Sequence, residues 1–359
     1  MIINTKNGIV KIFAKTIEEE AIEQITNLAN SELGENANIR IMPDVHAGKG
    51  CTIGTTMLIT DKVCPNLVGV DIGCGVLLAQ TDLNFRKLLP KLDHIIKTKV
   101  PNGFNVHDKP NYDVPYLNCH RSFTEKNLNT FSRSLGTLGG GNHFIEAYED
   151  GYIAIHTGSR NLGNVVAQLY QKIAEEKCPQ MPKGLGYLTD EDMDNYLADM
   201  DTVQAFAKLN RAKILDTVIA ELGGRIISTV DTIHNYIELG AEDTILRKGS
   251  ISAKLGEIIS IPLNMRDGLL ICQGKGNIDW NCSAPHGAGR LYSRKKAKAN
   301  FKIEDYQMSM QGIYSSCISQ STIDEAPFAY KDCQEIMKLI QSTATIIRHL
   351  TPIYNFKAN

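Results

Sequence analysis

The chain has 359 residues, 43% hydrophobic and 22% charged, with a formal net charge of −2. This is ordinary globular composition, long enough to bury a large core. No apolar run is long enough to span a bilayer, and the charge balance speaks against a protein that coats nucleic acid nonspecifically, although it leaves room for a local basic groove.

The amino-terminal segment carries acidic residues where an export signal needs an apolar core, so no signal peptide is expected. Nine cysteines, an odd number without a regular framework, fit a reduced, cytoplasmic protein. Residues 17–33 place Ile17, Ala21, Ile22, Ile25 and Leu28 at helical spacing. MPDVHAGKG (42–50) follows, with Asp44 and His46 two apart. In an extended segment both side chains point the same way, and such a pair can orient a water or a ligand histidine. Residues 53–60 and 67–70 read as short strands, as does VLLAQ (76–80). VDIGCG (70–75) sets Asp71 and Cys74 three apart in a Gly-rich turn, and GGGNHF (139–144) puts Asn142 and His143 behind three glycines.

Residues 152–156 alternate as a strand that carries His156 to its end, where HTGSR (156–160) begins. Residues 163–177 and 190–221 read as helices, the second closed by Gly223-Gly224. His234 lies in DTIHNY (231–236). Residues 258–263 and 268–272 are β-rich around a turn, and 329–350 read as helical. Strands and helices are interspersed throughout, and the polar motifs come from every third of the chain. The expectation is a mixed α/β fold, one compact domain over residues 1–359 with central β-sheets flanked by helices. No segment suggests an oligomerisation helix, so a monomer is the default.

Asp71, Cys74, His143, His156 and His234 offer a carboxylate, a thiolate and three imidazoles. Those are enough donors for two adjacent ions if the thiolate bridges. Taken singly, Asp-x-x-Cys is equally a buried thiol beside a turn-capping Asp, and each histidine a satisfied core or surface residue. His286, between Pro285 and Gly287 with Gly289 and Arg290 beyond, differs in kind. A tight turn presents its imidazole, which suits a nucleophile at phosphorus; the other reading is one more metal ligand. Arg290 can clamp phosphate oxygens. The basic stretch 290–302, with Arg294 and Lys296, is either a solvated helix face or part of a phosphate-binding groove. There is no GxxxxGK[ST] loop and no KxDG lysine motif, so nucleotide chemistry here has to use histidine.

MPDVHAGKGCTIG, VGVDIGCG, LGTLGGGNHFIE, HTGSR, HNY and HGAGR, in this order, resemble the RtcB family of RNA ligases, over most of the chain from Met42 to Lys357. The resemblance implies a single α/β domain that uses GTP and two Mn²⁺ ions to join an RNA 3′-phosphate, or a 2′,3′-cyclic phosphate, to a 5′-hydroxyl, in RNA repair or tRNA splicing. It implies that Asp71, Cys74 and His143 hold one ion, that Cys74, His156 and His234 hold the other, and that His286 forms a histidine–GMP intermediate. It further implies that GTP meets Asn142, Glu146, Gly287, Gly289 and Lys357, with Glu146 and Lys357 beside the base. Phosphates of nucleotide and RNA fall to Arg160, Arg290 and Arg294. One departure stands out: Asn264, Met265 and Arg266 replace the Gly-Ser-Met turn that many members carry. Two other readings use the same residues, a dinuclear metal phosphoesterase acting on cyclic RNA ends and a noncatalytic RNA-end sensor.

Overall fold

A computed structural model describes residues 1–240 and 243–358. It is a mixed α/β fold built on several sheets. The first sheet runs Ile2–Thr5, Gly8–Ile12, Arg40–His46, Ile53–Ile59, Thr244–Lys248, Asn235–Leu239. Among the described residues its only parallel pair joins Gly8–Ile12 to Arg40–His46. The second runs Pro352–Lys357, Phe144–Tyr148, Tyr152–Thr157, Gly75–Thr81, Ile226–Ile233, antiparallel throughout. A three-stranded sheet (Ile258–Asn264, Gly268–Gly274, Ala344–Leu350) and a short pair (Ser250–Ser252 with Ser283–Pro285) complete the set. Among the described residues no helix is long and apolar enough to cross a membrane.

The second sheet gathers the polar motifs at one end. Its register pairs Gly75 with Thr157 and Ile233, His156 with Phe144 and Val76, and Phe144 with Lys357. Cys74, His143, His156, His234 and Lys357 therefore sit at or next to the aligned ends of five neighbouring strands. Strand alternation does the rest, because residues two apart share a face.

The helix Asp190–Leu222 backs this end. Its first half packs Tyr196, Met200, Val203 and Phe206 into one apolar cluster. Its second half packs Ile214, Leu215, Val218 and Ile219 into another. It stops where Gly223 takes a left-handed φ of 78°, as the Gly-Gly pair predicts. Between the two apolar halves, Asn210 and Arg211 occupy buried positions at the same spacing. Asn210 accepts from the N–H groups of Gly136 and Thr137 and donates to the carbonyls of Thr137 and Gly158. Arg211 donates to the carbonyls of Gly73 and Thr157 and pairs with Asp231. Two polar residues on a buried helix face thus tie together three of the glycine-rich turns.

The expected elements at 17–33, 53–60, 76–80, 152–156, 163–177 and 190–221 are present with small shifts of boundary. Two expectations are corrected. Residues 67–70 do not form a strand: Pro65 opens a one-turn helix, Pro65–Val68, which Gly69 ends at a φ of 105°. Four apolar residues are too few for periodicity to separate the two states. Residues 329–350 are not one helix. Only Cys333–Leu339 is α-helical, and Ala344–Leu350 pairs with Gly268–Gly274 as a strand. The β-branched run Thr345-Ile346-Ile347 favours the strand.

Candidate active site

Cys74 Sγ lies 3.4 Å from His156 Nε2 and 3.5 Å from His143 Nε2. His143 Nε2 is 3.0 Å from Asp71 Oδ2. The ligand atoms of Cys74, His156 and His234 all lie within 4.8 Å of one another, as do those of Asp71, Cys74 and His143. Cys74 belongs to both groups. His143 Nδ1 donates to the carbonyl of Leu138 at 2.8 Å, and His156 Nδ1 to that of Asn142 at 3.2 Å. Each donation fixes a tautomer whose Nε2 lone pair faces the thiol. Burial, helped by the neighbouring imidazoles, drives His156 and His234 well below the usual histidine range, so both rings are neutral donors. Burial and the Asp71 carboxylate push the Cys74 thiol well above its usual range. A thiolate here needs a cation beside it. Neutral imidazoles, a carboxylate and a shared sulfur fit two divalent cations.

Backbone geometry holds these donors. Ser159 N–H donates to Asp71 Oδ1 at 2.9 Å, and Asn235 Nδ2 donates to the Asp71 carbonyl. Only glycine fits at 158, because a Cβ there would lie 2.2 Å from Asp71 Oδ1. Arg160 lies behind the Gly-rich turn, donating to Thr137 Oγ1 and the Gly103 carbonyl.

His286 stands apart from both donor groups. Its Nδ1 lies 2.6 Å from Asp44 Oδ2, which also accepts the His286 backbone N–H. Asp44 is fully buried and no donor reaches its Oδ1 among the described residues. The carboxylate holds the proton on Nδ1 and leaves Nε2 with a free lone pair. The His286 ring sits 4.7 Å from the His234 ring. Asp44 therefore orients His286 rather than a water or a metal-ligating histidine. His46 lines the same cavity, its Nδ1 donating to the Asp44 carbonyl at 3.0 Å. Gly289, at a φ of 75°, lets this turn press on Asp44, whose carbonyl would lie 2.3 Å from a Cβ.

Asp71, Cys74, His156, His234 and His286 open on a cavity of about 280 Å³, also lined by Asn142, Phe144, Glu146, Arg290, Arg294 and Lys357. Arg290, Arg294 and Lys357 converge on one acid that sequence reasoning missed. Glu325, 2% exposed, pairs with them at 3.1, 2.7 and 2.8 Å and accepts from Tyr330 Oη at 2.5 Å. Burial opposes its ionisation, but the three cations outweigh this and hold it near 2. Arg294 also pairs with the buried Asp324 at 2.8 Å, so three cations on two carboxylates leave one positive charge in excess at the cavity wall, which suits phosphate. Lys296 lies on the exposed face of the helix Arg294–Asn300. The divergent turn satisfies itself: Asn264 Oδ1 accepts from the N–H groups of Arg266 and Asp267, and Met265 packs against Tyr306.

The family described as tRNA-splicing ligase RtcB matches residues 24–122 and 116–358. RNA-splicing ligase RtcB of Escherichia coli K12 is 33% identical over 98% of both chains. The chain belongs to the RtcB family. RNA-splicing ligase RtcB1 of a second E. coli strain is likewise 33% identical over 98% of both chains. The tRNA-splicing ligase RtcB of Aeropyrum pernix is 27% identical, covering 95% of this chain and 92% of its own.

Within this RtcB chain, Glu146 is an acid whose burial is costly. It is 2% exposed, and its carboxylate accepts from Tyr148 Oη and Asn355 Nδ2. Burial raises its pKa from 4.5 to about 7, despite those two donors and Lys357. The folded state therefore holds this proton more firmly than the unfolded chain. Stability falls as pH rises from the unfolded to the folded value, by as much as ~3 kcal/mol. Glu146→Gln, whose amide the Tyr148 hydroxyl can turn to meet, should gain stability over wild type between pH 4.5 and 7. Denaturant melts at pH 4 and pH 8 check this, and a difference that does not grow with pH would contradict it.

Proposed function

We propose that this chain is an RNA ligase that uses GTP and Mn²⁺ to join an RNA 3′-phosphate or 2′,3′-cyclic phosphate to a 5′-hydroxyl. The observation that carries this reading is the Asp44–His286 pair beside the shared-thiolate donor set. A metal phosphoesterase needs the donors and can use a carboxylate-held imidazole only to move protons, whereas the ligase reading needs its free Nε2 to attack phosphorus.

His286 Nε2 attacks the α-phosphorus of GTP. The N–P bond forms as the bond to pyrophosphate breaks, and pyrophosphate leaves. Asp44 keeps the Nδ1 proton and stabilises the charge that the ring gains. The RNA 3′-phosphate then takes GMP from His286, and the 5′-hydroxyl displaces GMP as the new phosphodiester forms. A cyclic end is first hydrolysed in the same site. Two Mn²⁺ ions, one on Asp71, Cys74 and His143 and one on Cys74, His156 and His234, would neutralise phosphate charge and activate the attacking groups. Asn142, Gly287 and Gly289 line the cavity and would meet the nucleotide, and Glu146 would accept from the guanine edge. Arg290 and Arg294 meet phosphates, while Arg160 braces the turn that the RNA end approaches.

Since the metal ligands come from segments spread between Asp71 and His234, with the nucleophile His286 beyond them, the chain works as one unit over residues 1–359, and a monomer suffices. All nine cysteines are free thiols, in keeping with a reducing, cytoplasmic setting. Relatives named RNA-splicing and tRNA-splicing ligase support RNA as the substrate.

The test is a joining assay with RNA bearing a 2′,3′-cyclic phosphate and a second RNA with a 5′-hydroxyl. Joined product should require both GTP and Mn²⁺ and vanish in His286→Ala. Ring opening without joining, retained in His286→Ala, would point to a phosphoesterase instead. RNA binding with neither reaction would point to an end sensor.

A further inference from the structure

The cavity carries an acceptor that nothing above uses. Strands Phe144–Tyr148 and Pro352–Lys357 are antiparallel, with Asn355 directly opposite Glu146 and Lys357 opposite Phe144. Alternation puts these four side chains on one face, and all four line the cavity. Asn355 Nδ2 donates to Glu146 Oε1 at 2.7 Å. With Glu146 ionised, as acceptance from a ligand N–H requires, the carboxylate fixes the amide, because only the NH₂ end can face an acceptor. The oxygen is thereby left over. Asn355 is 1% exposed, yet its Oδ1 has no hydrogen-bond partner among the described residues. Buried acceptors are rarely left unmatched, and one lining a ligand cavity points to a donor on the ligand.

We propose that Asn355 reads the 2-amino group of guanine. This rests on the GTP reading above. Guanine offers two adjacent donors, N1–H and the exocyclic amine, on one edge. Glu146 accepts from N1–H, and Asn355 Oδ1, beside it, accepts from the amine. Phe144 supplies an apolar ring in the same patch, with Lys357 Nζ 5.3 Å from its centroid. The pair distinguishes guanine from two other purines. Adenine has no N1–H and brings its amine to the wrong position. Hypoxanthine has the N1–H and O6 but lacks the amine, so it satisfies Glu146 and leaves Asn355 Oδ1 unmatched. A site built to meet a substrate N–H rejects the analogue without it, because its own polar group then stays unpaired.

The experiment is equilibrium binding of GTP, ITP and ATP to wild type and to two variants that lack the acceptor. Asn355→Leu is close in shape, and Asn355→Val suits a strand; thermal melting shows which retains the wild-type fold. Wild type should prefer GTP over ITP by roughly tenfold or more. Either folded variant should bring that ratio near one. Any weakening through Glu146 affects both nucleotides alike, so a merely structural role for Asn355 leaves the ratio in place. A ratio unchanged in the variants, or a wild type that binds GTP and ITP equally, overturns the assignment of Asn355 and leaves the GTP reading standing. A wild type that binds no GTP, or binds ATP as well as GTP, overturns that reading and this assignment together.

Discussion

Cys74→Ala should lose both metal ions at once and form no detectable GMP adduct. The reason is geometric. Cys74 Sγ is the one ligand atom common to both donor groups, so its removal leaves two ligands in each. Two neutral imidazoles, or one imidazole and a carboxylate, hold a divalent cation far more weakly than three donors including a thiolate. Removing even an outer partner of a ligand costs about 10–100-fold in affinity, and removing the shared ligand should cost more. Metal content per chain after dialysis, by elemental analysis, reads this directly. Wild type should hold two ions, His143→Ala should keep the one on Cys74, His156 and His234, and Cys74→Ala should keep none. A Cys74→Ala protein that retains one ion would mean that the thiolate serves a single site.

Asp44→Asn should slow guanylylation by about a thousandfold while GTP affinity stays within a few-fold of wild type. Asp44 Oδ2 accepts both the backbone N–H and the Nδ1–H of His286. An asparagine that turns its NH₂ toward Nδ1 moves the ring proton to Nε2 and removes the lone pair that attacks phosphorus. It also removes the charge that stabilises the imidazolium in the transition state. A carboxylate-to-amide change behind a catalytic histidine acts on the chemical step, with losses on the order of 10⁴ where the tautomer is reversed. The check is single-turnover adduct formation across GTP concentrations. A loss that appears only in the half-saturating concentration, with the maximal rate intact, would contradict the orienting role.

The motifs that sequence reasoning recovers are those whose residues sit in glycine-flanked turns. Asp71, Cys74, His143, His156, His234 and His286 each stand beside glycine or at a strand end, where a side chain must be presented and not packed. Asp44 was visible as a companion to His46, but its partner lies 242 residues away, and only tertiary structure could choose His286 over a ligand histidine. Glu325 carried no local signal. Nothing in SQSTIDEAPF marks an acid that will meet three cations. Asn210 and Arg211 did carry one, since they interrupt an apolar face whose spacing continues on either side at Phe206, Ala207, Ile214 and Val218. Asn355 was hidden in a tail expected to follow a helix. The strand Ala344–Leu350 that corrects this expectation leads straight into the strand carrying Asn355 and Lys357.

The ligase reaction proposed for this chain stands or falls with GMP carried on His286. Wild type and His286→Ala, each incubated with α-³²P-labelled GTP and Mn²⁺ and run on a denaturing gel at neutral to alkaline pH, test it most directly. Label is expected on the wild type alone, lost on mild acid treatment as a phosphoramidate bond is. Label retained by His286→Ala, or no label on a wild type with metal confirmed at Cys74, would contradict it.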